Sequence, residues 1–410
     1  MKEDIRIPRE SSPEARAAAV SGGSQAWLAD VRSELEELRR RNLYRNLSAH
    51  TGRLDFSSND YLSLNASGKI AGWLREIVTA DSDPGARENP NVGSTGSRLI
   101  RGHYTAFENV EARFAAYVGA PAALLFHSGY AANTGALPAV VAPRDVVFCD
   151  RLCHASLLDG VRLSGARRYY FRHNDLTDLE TQLKKYAGPQ RNWIVTEAVF
   201  SMDGDSPDLK KICDLADQNN ACVYLDEAHS IGVCGPRGAG LAAADATVRE
   251  RIAVNVFPCG KAPGLMGAFV CGAPELKELL INRARSFIFT TAQPPHLARL
   301  LARIIDWLQS NEAEVARGHV QSLARELRLN LQAAGFNTGT STTHIVPVIV
   351  GGEERALNLA LHCREAGLDV RAIRPPSVPK DTSRLRVILQ AGHTAEDVAE
   401  LARVICTAEA

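Results

Sequence analysis

A lone lysine among very small residues is the first chemically suggestive feature of this chain. It stands in Phe257-Pro258-Cys259-Gly260-Lys261-Ala262-Pro263-Gly264, where no bulky neighbour blocks its reach toward a bound aldehyde. A desolvated lysine has a lowered pKa and can serve as nucleophile and then as base. Upstream, the apolar run Cys222-Val223-Tyr224-Leu225 delivers Asp226 at its carboxyl end, with His229 shortly after. A carboxylate there can keep a pyridine nitrogen protonated and make the ring an electron sink, and His229 could donate to a phenolic oxygen on that ring. In Phe126-His127-Ser128-Gly129-Tyr130 a strand gives way to a helix through a Ser-Gly turn. The free N–H groups of a helix start favour a phosphate. Near the end of the chain, Arg384-Leu385-Arg386-Val387-Ile388-Leu389 alternates two arginines with apolar residues, and an arginine on such a strand is costly unless it meets an anion. A bidentate grip on a substrate carboxylate would supply one.

Each of these features has a plainer reading when taken singly. Ser128 caps an ordinary helix, Asp226 caps another, Lys261 is a surface lysine in a turn, and the arginines form structural ion pairs. The DExH pattern at 226–229 also occurs in helicases, but no phosphate-binding loop ending in Gly-Lys-Ser/Thr accompanies it. The order of the four features along one chain is what points to chemistry.

The elements that must position them follow from periodicity. Strands are predicted at Ala122–Phe126, Asp145–Cys149, Arg168–Phe171, Trp193–Thr196, Cys222–Leu225 and Ala268–Cys271, separated by helical stretches such as Leu209–Gln218. This alternation predicts an α/β fold with a mainly parallel central sheet, helices on both faces and ligands at the carboxyl ends of the strands. A long amphipathic helix follows Pro294-Pro295. Strands at Ile345–Val350, Val370–Ile373 and Leu385–Leu389 and a helix near Glu396–Cys406 then form a smaller C-terminal α+β domain. The expected division is a polar leader over 1–25, an N-terminal helix and strand segment over 26–65, a large domain over 66–295 and a small one over 296–410.

Composition narrows the class. The chain has 410 residues, 45% of them hydrophobic, with 47 basic against 47 acidic side chains. No basic excess suggests nucleic acid or an anionic membrane as partner. Nine scattered cysteines without a CxxC pair argue against a disulfide framework and a metal site. The charged start, Met1 to Glu10, reads as no signal peptide, and no apolar run is long enough to span a bilayer, so a soluble cytoplasmic protein is expected.

Further segments carry a family resemblance. They are Leu54-Asp55-Phe56-Ser57-Ser58-Asn59-Asp60-Tyr61-Leu62, Gly93-Ser94-Thr95-Gly96-Ser97-Arg98, Cys153-His154-Ala155-Ser156, Thr196-Glu197-Ala198-Val199-Phe200-Ser201-Met202-Asp203-Gly204-Asp205, Phe287 to Pro295 and Ile373-Arg374-Pro375-Pro376-Ser377-Val378-Pro379. With the four features above, they resemble the α-oxoamine synthases, fold-type I enzymes of pyridoxal 5'-phosphate, from about Leu38 to the end. The resemblance implies that Lys261 carries the cofactor as a Schiff base and that His154 stacks on its ring. Asp226 would meet the ring nitrogen, Ser201 and His229 the ring oxygen, and Ser128, Gly129 and Tyr130 the phosphate. Thr291 would reach the phosphate of the other subunit of a homodimer. Arg386, with Asn59 nearby, would hold the amino-acid carboxylate, while Arg39, Arg374 and Ser377 would lie toward the acyl substrate.

The Arg374-Pro375-Pro376 and Phe289-Thr290-Thr291 runs lean toward the biotin-pathway branch, which joins L-alanine to a pimeloyl thioester of coenzyme A or acyl carrier protein with loss of CO2. Glycine C-acetyltransferase, 5-aminolevulinate synthase and serine palmitoyltransferase are the sister activities, and a non-catalytic paralogue is the remaining alternative. Two departures stand out. Pro258 replaces the usual hydroxyl residue and can donate nothing to a phosphate, and Pro263 replaces the usual leucine.

Overall fold

In a computed structural model, residues 22–41, 43–47, 54–81 and 93–408 are described. Short runs rich in Val, Ile, Leu and Phe build a seven-stranded sheet from β1 (Ala122–Phe126), β2 (Val146–Asp150), β3 (Arg167–Phe171), β4 (Asn192–Glu197), β5 (Ala221–Asp226), β6 (Ile252–Pro258) and β7 (Ala268–Gly272). Their spatial order is β1-β7-β6-β5-β4-β2-β3. The pairs β3/β2, β2/β4, β4/β5 and β5/β6 are parallel, whereas β7 runs antiparallel to both β6 and β1. All strands except β7 therefore point the same way. The expected mainly parallel sheet is present, with one strand more than the sequence reading assigned. That strand is β6, which leads into Lys261.

Both faces of the sheet are covered, as parallel sheets require. Successive residues go to opposite sides: Val147 and Cys149 pack with Ala132, Leu137 and Leu157, while Val146 and Phe148 pack with Leu179, Leu183 and Ile212. The amphipathic helix Pro295–Leu308 buries Leu300, Leu301, Ile304, Ile305 and Leu308 as its spacing predicts. The C-terminal part carries an antiparallel sheet of β8 (Ile345–Gly351), β9 (Arg371–Ile373) and β10 (Ser383–Ile388), in the order β9-β10-β8, and closes with the helix Ala395–Thr407.

The segment after Leu54 is fixed early in its path. Leu54 and Asp55 pair in parallel with Leu368 and Asp369. The Asp55 carboxylate then accepts from the backbone N–H groups of Ser57 at 2.7 Å and Ser58 at 3.0 Å. This turn aims Asn59 and Tyr61. Arg53–Ala410 forms one compact unit and Met1–Gly52 another. Within the latter, a helix runs over Gly22–Arg40. It therefore begins inside the stretch expected to be leader, whose residues 1–21 lie outside the described residues.

A half-buried histidine ties the strand ends together. His173 Nδ1 is 3.0 Å from Asp150 Oδ1, and its Nε2 is 3.2 Å from Asp205. Thr340 also donates to Asp205, at 2.9 Å. Burial pulls the His173 pKa down, but the two carboxylates outweigh it and raise the value to about 10. A folded-state pKa above the unfolded one means stability that is complete below the ordinary value near 6.5 and lost as pH rises through the folded one. Thermal melts of the wild-type protein should therefore fall in midpoint between about pH 6.5 and about 10. The contribution is on the order of 4 kcal/mol. His173→Gln should melt lower at neutral pH and lose most of this slope. A wild-type midpoint that stays flat across the window would contradict the charged-histidine bridge.

Candidate active site

A cavity of about 490 Å³ opens where β1, β5 and β6 end, and Asp226, His154, Lys261 and the start of the helix Gly129–Val140 all line it. At the helix start, the Ser128 side chain caps this helix by accepting from the Ala131 N–H at 3.2 Å. Pro258 sits opposite. A Cβ on Gly129 would come within 2.7 Å of the proline ring, so only glycine lets the helix start and the end of β6 approach this closely. The proline that removes a hydroxyl donor thus packs directly against the helix terminus. Tyr130 is half exposed and its hydroxyl donates to Asp159.

Asp226 is buried and held in place. One carboxylate oxygen accepts from Asn133 Nδ2 at 2.7 Å, the other from the Ala228 N–H at 2.9 Å. Asn133 also donates to Ser156 and accepts from Tyr224, so its own orientation is fixed. His154 continues this network, its Nδ1 lying 2.8 Å from the Ser156 hydroxyl, and its backbone N–H donates to Glu197. Burial lowers the His154 pKa, so the ring on the cavity wall is neutral.

Two carboxyl groups, those of Asp226 and Glu197, face the lysine amine. Burial lowers the Lys261 pKa to about 8, against the opposing pull of Asp226 and Glu197. Burial and the nearby Asp226 charge push Glu197 up to about 8. Close to neutral pH the amine therefore has an accessible unprotonated form, which ordinary lysines lack.

His229 is buried, and its Nδ1 is hydrogen-bonded to the Tyr61 hydroxyl at 2.5 Å. Burial and the positive charges of Lys261 and Arg386 hold its pKa well below the usual range. Arg386, expected to bind a carboxylate, is buried and meets neutral groups among the described residues: the Ser201 carbonyl at 2.5 Å, Asn59 Oδ1 at 3.0 Å and the Tyr61 hydroxyl. Arg384 is different, since it is paired with Asp203 at 2.6 Å. The two arginines thus divide into a structural ion pair and a guanidinium without an acidic partner.

Of the other expected residues of this unit, Thr291, Arg374 and Ser377 do not line the cavity. Thr291 is exposed, and its carbonyl is hydrogen-bonded to His127. Ser201 enters through its carbonyl. Arg374 and Ser377 lie in the loop after β9 and do not line the cavity; the Ser377 N–H donates to the Arg374 carbonyl at 3.1 Å. Arg39 stands on the helix Gly22–Arg40 with its guanidinium 4.3 Å from the centre of the Tyr44 ring. Residues given no role from sequence complete the site: Asn133, Ser156, Glu197 and Tyr61. Ser156, Glu197 and Tyr61 lie inside quoted motifs and Asn133 three residues beyond one, but nothing local marks any of them as a partner of Asp226, His154, Lys261 or His229.

This donor set fits pyridoxal phosphate. The fixed carboxylate, the desolvated amine, the neutral imidazole and the helix terminus surround one cavity. The model of the class I and II aminotransferases matches residues 51–405. The chain belongs to that family. It is 44% identical over 352 residues to the 8-amino-7-oxononanoate synthase of Azoarcus sp. (strain BH72), covering 86% of this chain and 87% of the relative.

A serine palmitoyltransferase from S. paucimobilis, solved with a PLP–myriocin aldimine, superposes with a TM-score of 0.83 at 26% identity, over 93% of this chain and 97% of that one. An 8-amino-7-oxononanoate synthase from Francisella tularensis superposes with a TM-score of 0.72 at 25% identity, over 87% and 97%. The resemblance to α-oxoamine synthases is thereby borne out, as is the fold type. The protein is an enzyme whose cofactor is pyridoxal 5'-phosphate.

Because only the unprotonated amine adds to an aldehyde, cofactor-free protein should bind pyridoxal phosphate covalently at a rate that rises with pH and levels above about 8. Borohydride reduction and peptide mapping should place the label on Lys261. A label on Lys210, Lys211 or Lys277 would contradict the assignment.

Proposed function

We propose that the enzyme condenses L-alanine with a pimeloyl thioester, releasing the thiol and CO2 and forming 8-amino-7-oxononanoate for biotin synthesis. The observation that carries this reading is the buried Arg386, which has no acidic partner among the described residues and is near enough to the desolvated Lys261 to lower its pKa. The 44% identity to a relative of that name supplies the choice of substrates.

The residues divide the work. Arg386 and Asn59 bind the alanine carboxylate and so aim the Cα–H bond. The Lys261 amine first holds the cofactor, and once the substrate amine has displaced it, takes the α-proton on Nζ. Pyridoxal phosphate supplies the electron sink that stabilises the carbanion. Asp226 would hold a proton on the ring nitrogen, His154 would pack on the ring face, and Ser201 and His229 would orient the ring oxygen. Ser128, Gly129 and Tyr130 would hold the phosphate. Arg39, Arg374 and Ser377 are the proposed acyl-side residues, with coenzyme A or an acyl carrier protein as the thiol carrier.

A homodimer with the cavity at its interface completes this picture, with Thr291 reaching the partner's phosphate. An exposed apolar rim supports it: Met266, Phe289 and Ile100 are 56%, 70% and 84% exposed. Their segments are linked, since Gln293 donates to the Met266 carbonyl at 3.2 Å and the Ala292 N–H to Gly96 at 2.9 Å. Rims of this kind mark interfaces. Among the described residues, no helix is long and apolar enough to cross a membrane, and the nine cysteines are free thiols, which fits a cytoplasmic enzyme.

The superposition on a serine palmitoyltransferase favours a second reading within the same chemistry, with serine and a longer acyl chain. A thiol-release assay over alanine, glycine and serine, each with pimeloyl, acetyl, succinyl and palmitoyl thioesters, separates the two. Alanine with pimeloyl thioester should give the highest kcat/KM; serine with palmitoyl thioester in that place would overturn the proposal. Arg386→Ala should weaken alanine binding by about 2–5 kcal/mol and change the thioester KM much less. An unchanged alanine Kd would remove Arg386 from the site.

A further inference from the structure

Tyr61 is fully buried, and its hydroxyl lies among polar side chains of the catalytic site. It is 2.5 Å from His229 Nδ1 and 3.0 Å from Asn59 Oδ1, and the Arg386 guanidinium is hydrogen-bonded to it. The segment that carries it is pinned from the C-terminal side. The Ala391 N–H donates to the Tyr61 carbonyl at 2.9 Å, and the Gly392 N–H to the Ser63 hydroxyl at 2.8 Å. The buried His344 ring packs edge-on against the phenol ring, with centroids 4.0 Å apart. Neither His344 nitrogen has a hydrogen-bond partner among the described residues, so this ring holds the phenol in place without competing for its hydroxyl.

The hydroxyl has one proton, and its neighbours decide where that proton points. Arg386 has only donors, so it takes a lone pair of the Tyr61 oxygen. The same guanidinium donates to Asn59 Oδ1 at 3.0 Å, which fixes that atom as the amide oxygen. His229 can take either role. Burial and the charges of Lys261 and Arg386 keep its ring neutral, so one nitrogen carries a proton and the other does not. If the phenol donates to Nδ1, the ring proton is on Nε2. If it donates to Asn59, Nδ1 must carry the ring proton and donate to the phenol oxygen.

The geometry favours the first arrangement. The contact with Nδ1 is 2.5 Å, against 3.0 Å to Asn59. Asn59 Oδ1 already has a donor in Arg386, whereas Nδ1 has no other partner among the described residues. A cation on the phenol oxygen also strengthens its O–H as a donor. The second ring nitrogen is left available: His229 lines the cofactor cavity, and its Nε2 meets no described residue and is not sealed from contact.

We propose that Tyr61 is a positioning residue whose hydroxyl donates to His229 Nδ1 and so holds the imidazole as the tautomer with its proton on Nε2, the donor for the cofactor's ring oxygen. The use of that donor rests on the ring-oxygen contact proposed above for His229; the tautomer does not.

Nitrogen NMR of protein labelled in its histidine rings reads the tautomer, with His229→Gln marking the resonances. In the wild-type protein, both as holoenzyme and free of cofactor, Nε2 should resonate as protonated and Nδ1 as unprotonated. Asn59→Ala, which removes the rival acceptor, should leave that pattern intact. Tyr61→Phe keeps the ring against His344 but removes the donor, and the tautomer ratio should fall by about three- to tenfold, the worth of one neutral hydrogen bond. A protonated Nδ1 in the wild-type protein would overturn the proposal, as would a pattern changed by Asn59→Ala or a wild-type ratio in Tyr61→Phe. Loading with pyridoxal phosphate should move the Nε2 resonance. A protonated Nε2 that does not move on loading upholds the tautomer and counts against the ring-oxygen contact alone.

Discussion

Everything in the catalytic site depends on enclosing one amine beside two carboxylates at the carboxyl edge of the parallel sheet. Removing Lys261 from water disfavours its charge, while Asp226 and Glu197 restore part of it. The balance leaves an amine that can change protonation state near neutral pH, which both of its proposed tasks require. Asp226 can serve as a fixed anion because Asn133 and the Ala228 N–H already bind its oxygens. Glu197 is pushed toward its neutral form, so the site does not carry two full negative charges side by side.

The fold supplies this arrangement through its connections. β4, β5 and β6 are neighbours in the sheet, so Glu197, Asp226 and the loop carrying Lys261 emerge side by side although they are far apart in the chain. Asn59 and Tyr61 come from the segment after Leu54 and Arg386 from β10; Asn59 lines the cavity and accepts from Arg386, and Tyr61 bonds to the cavity residue His229. The proposed substrate-binding residues thus sit on different elements from the proposed cofactor-binding ones.

Much of this was legible in the sequence. Lys261, Asp226, His154 and the Ser128–Gly129 turn line one cavity, and of the two arginines on β10 it is Arg386 that has no acidic partner among the described residues. The strand β6 was not legible as a strand: it holds Asn255 in its middle and ends in Pro258, a residue that usually demotes a strand. Here Pro258 closes the strand opposite Ala268 and packs on Gly129, a contact between residues remote in sequence. The partners of the catalytic groups were hidden for the same reason. Asn133 meets Asp226, and Tyr61 meets His229 across 168 positions of sequence, and spacing carries no trace of such pairings. Glu227 gave no signal either, although its buried carboxylate receives the Leu241 and Ala242 N–H groups and shapes the loop that follows Asp226.

The central claim is that the Asp226 carboxylate keeps a proton on the cofactor ring. Nitrogen NMR of protein loaded with ring-labelled pyridoxal phosphate reads that proton directly. The wild-type spectrum should show a protonated ring nitrogen at neutral pH, and Asp226→Asn should shift the resonance to the unprotonated position while the cofactor stays bound. An unprotonated nitrogen in the wild-type enzyme, or an unchanged resonance in Asp226→Asn, would contradict the account.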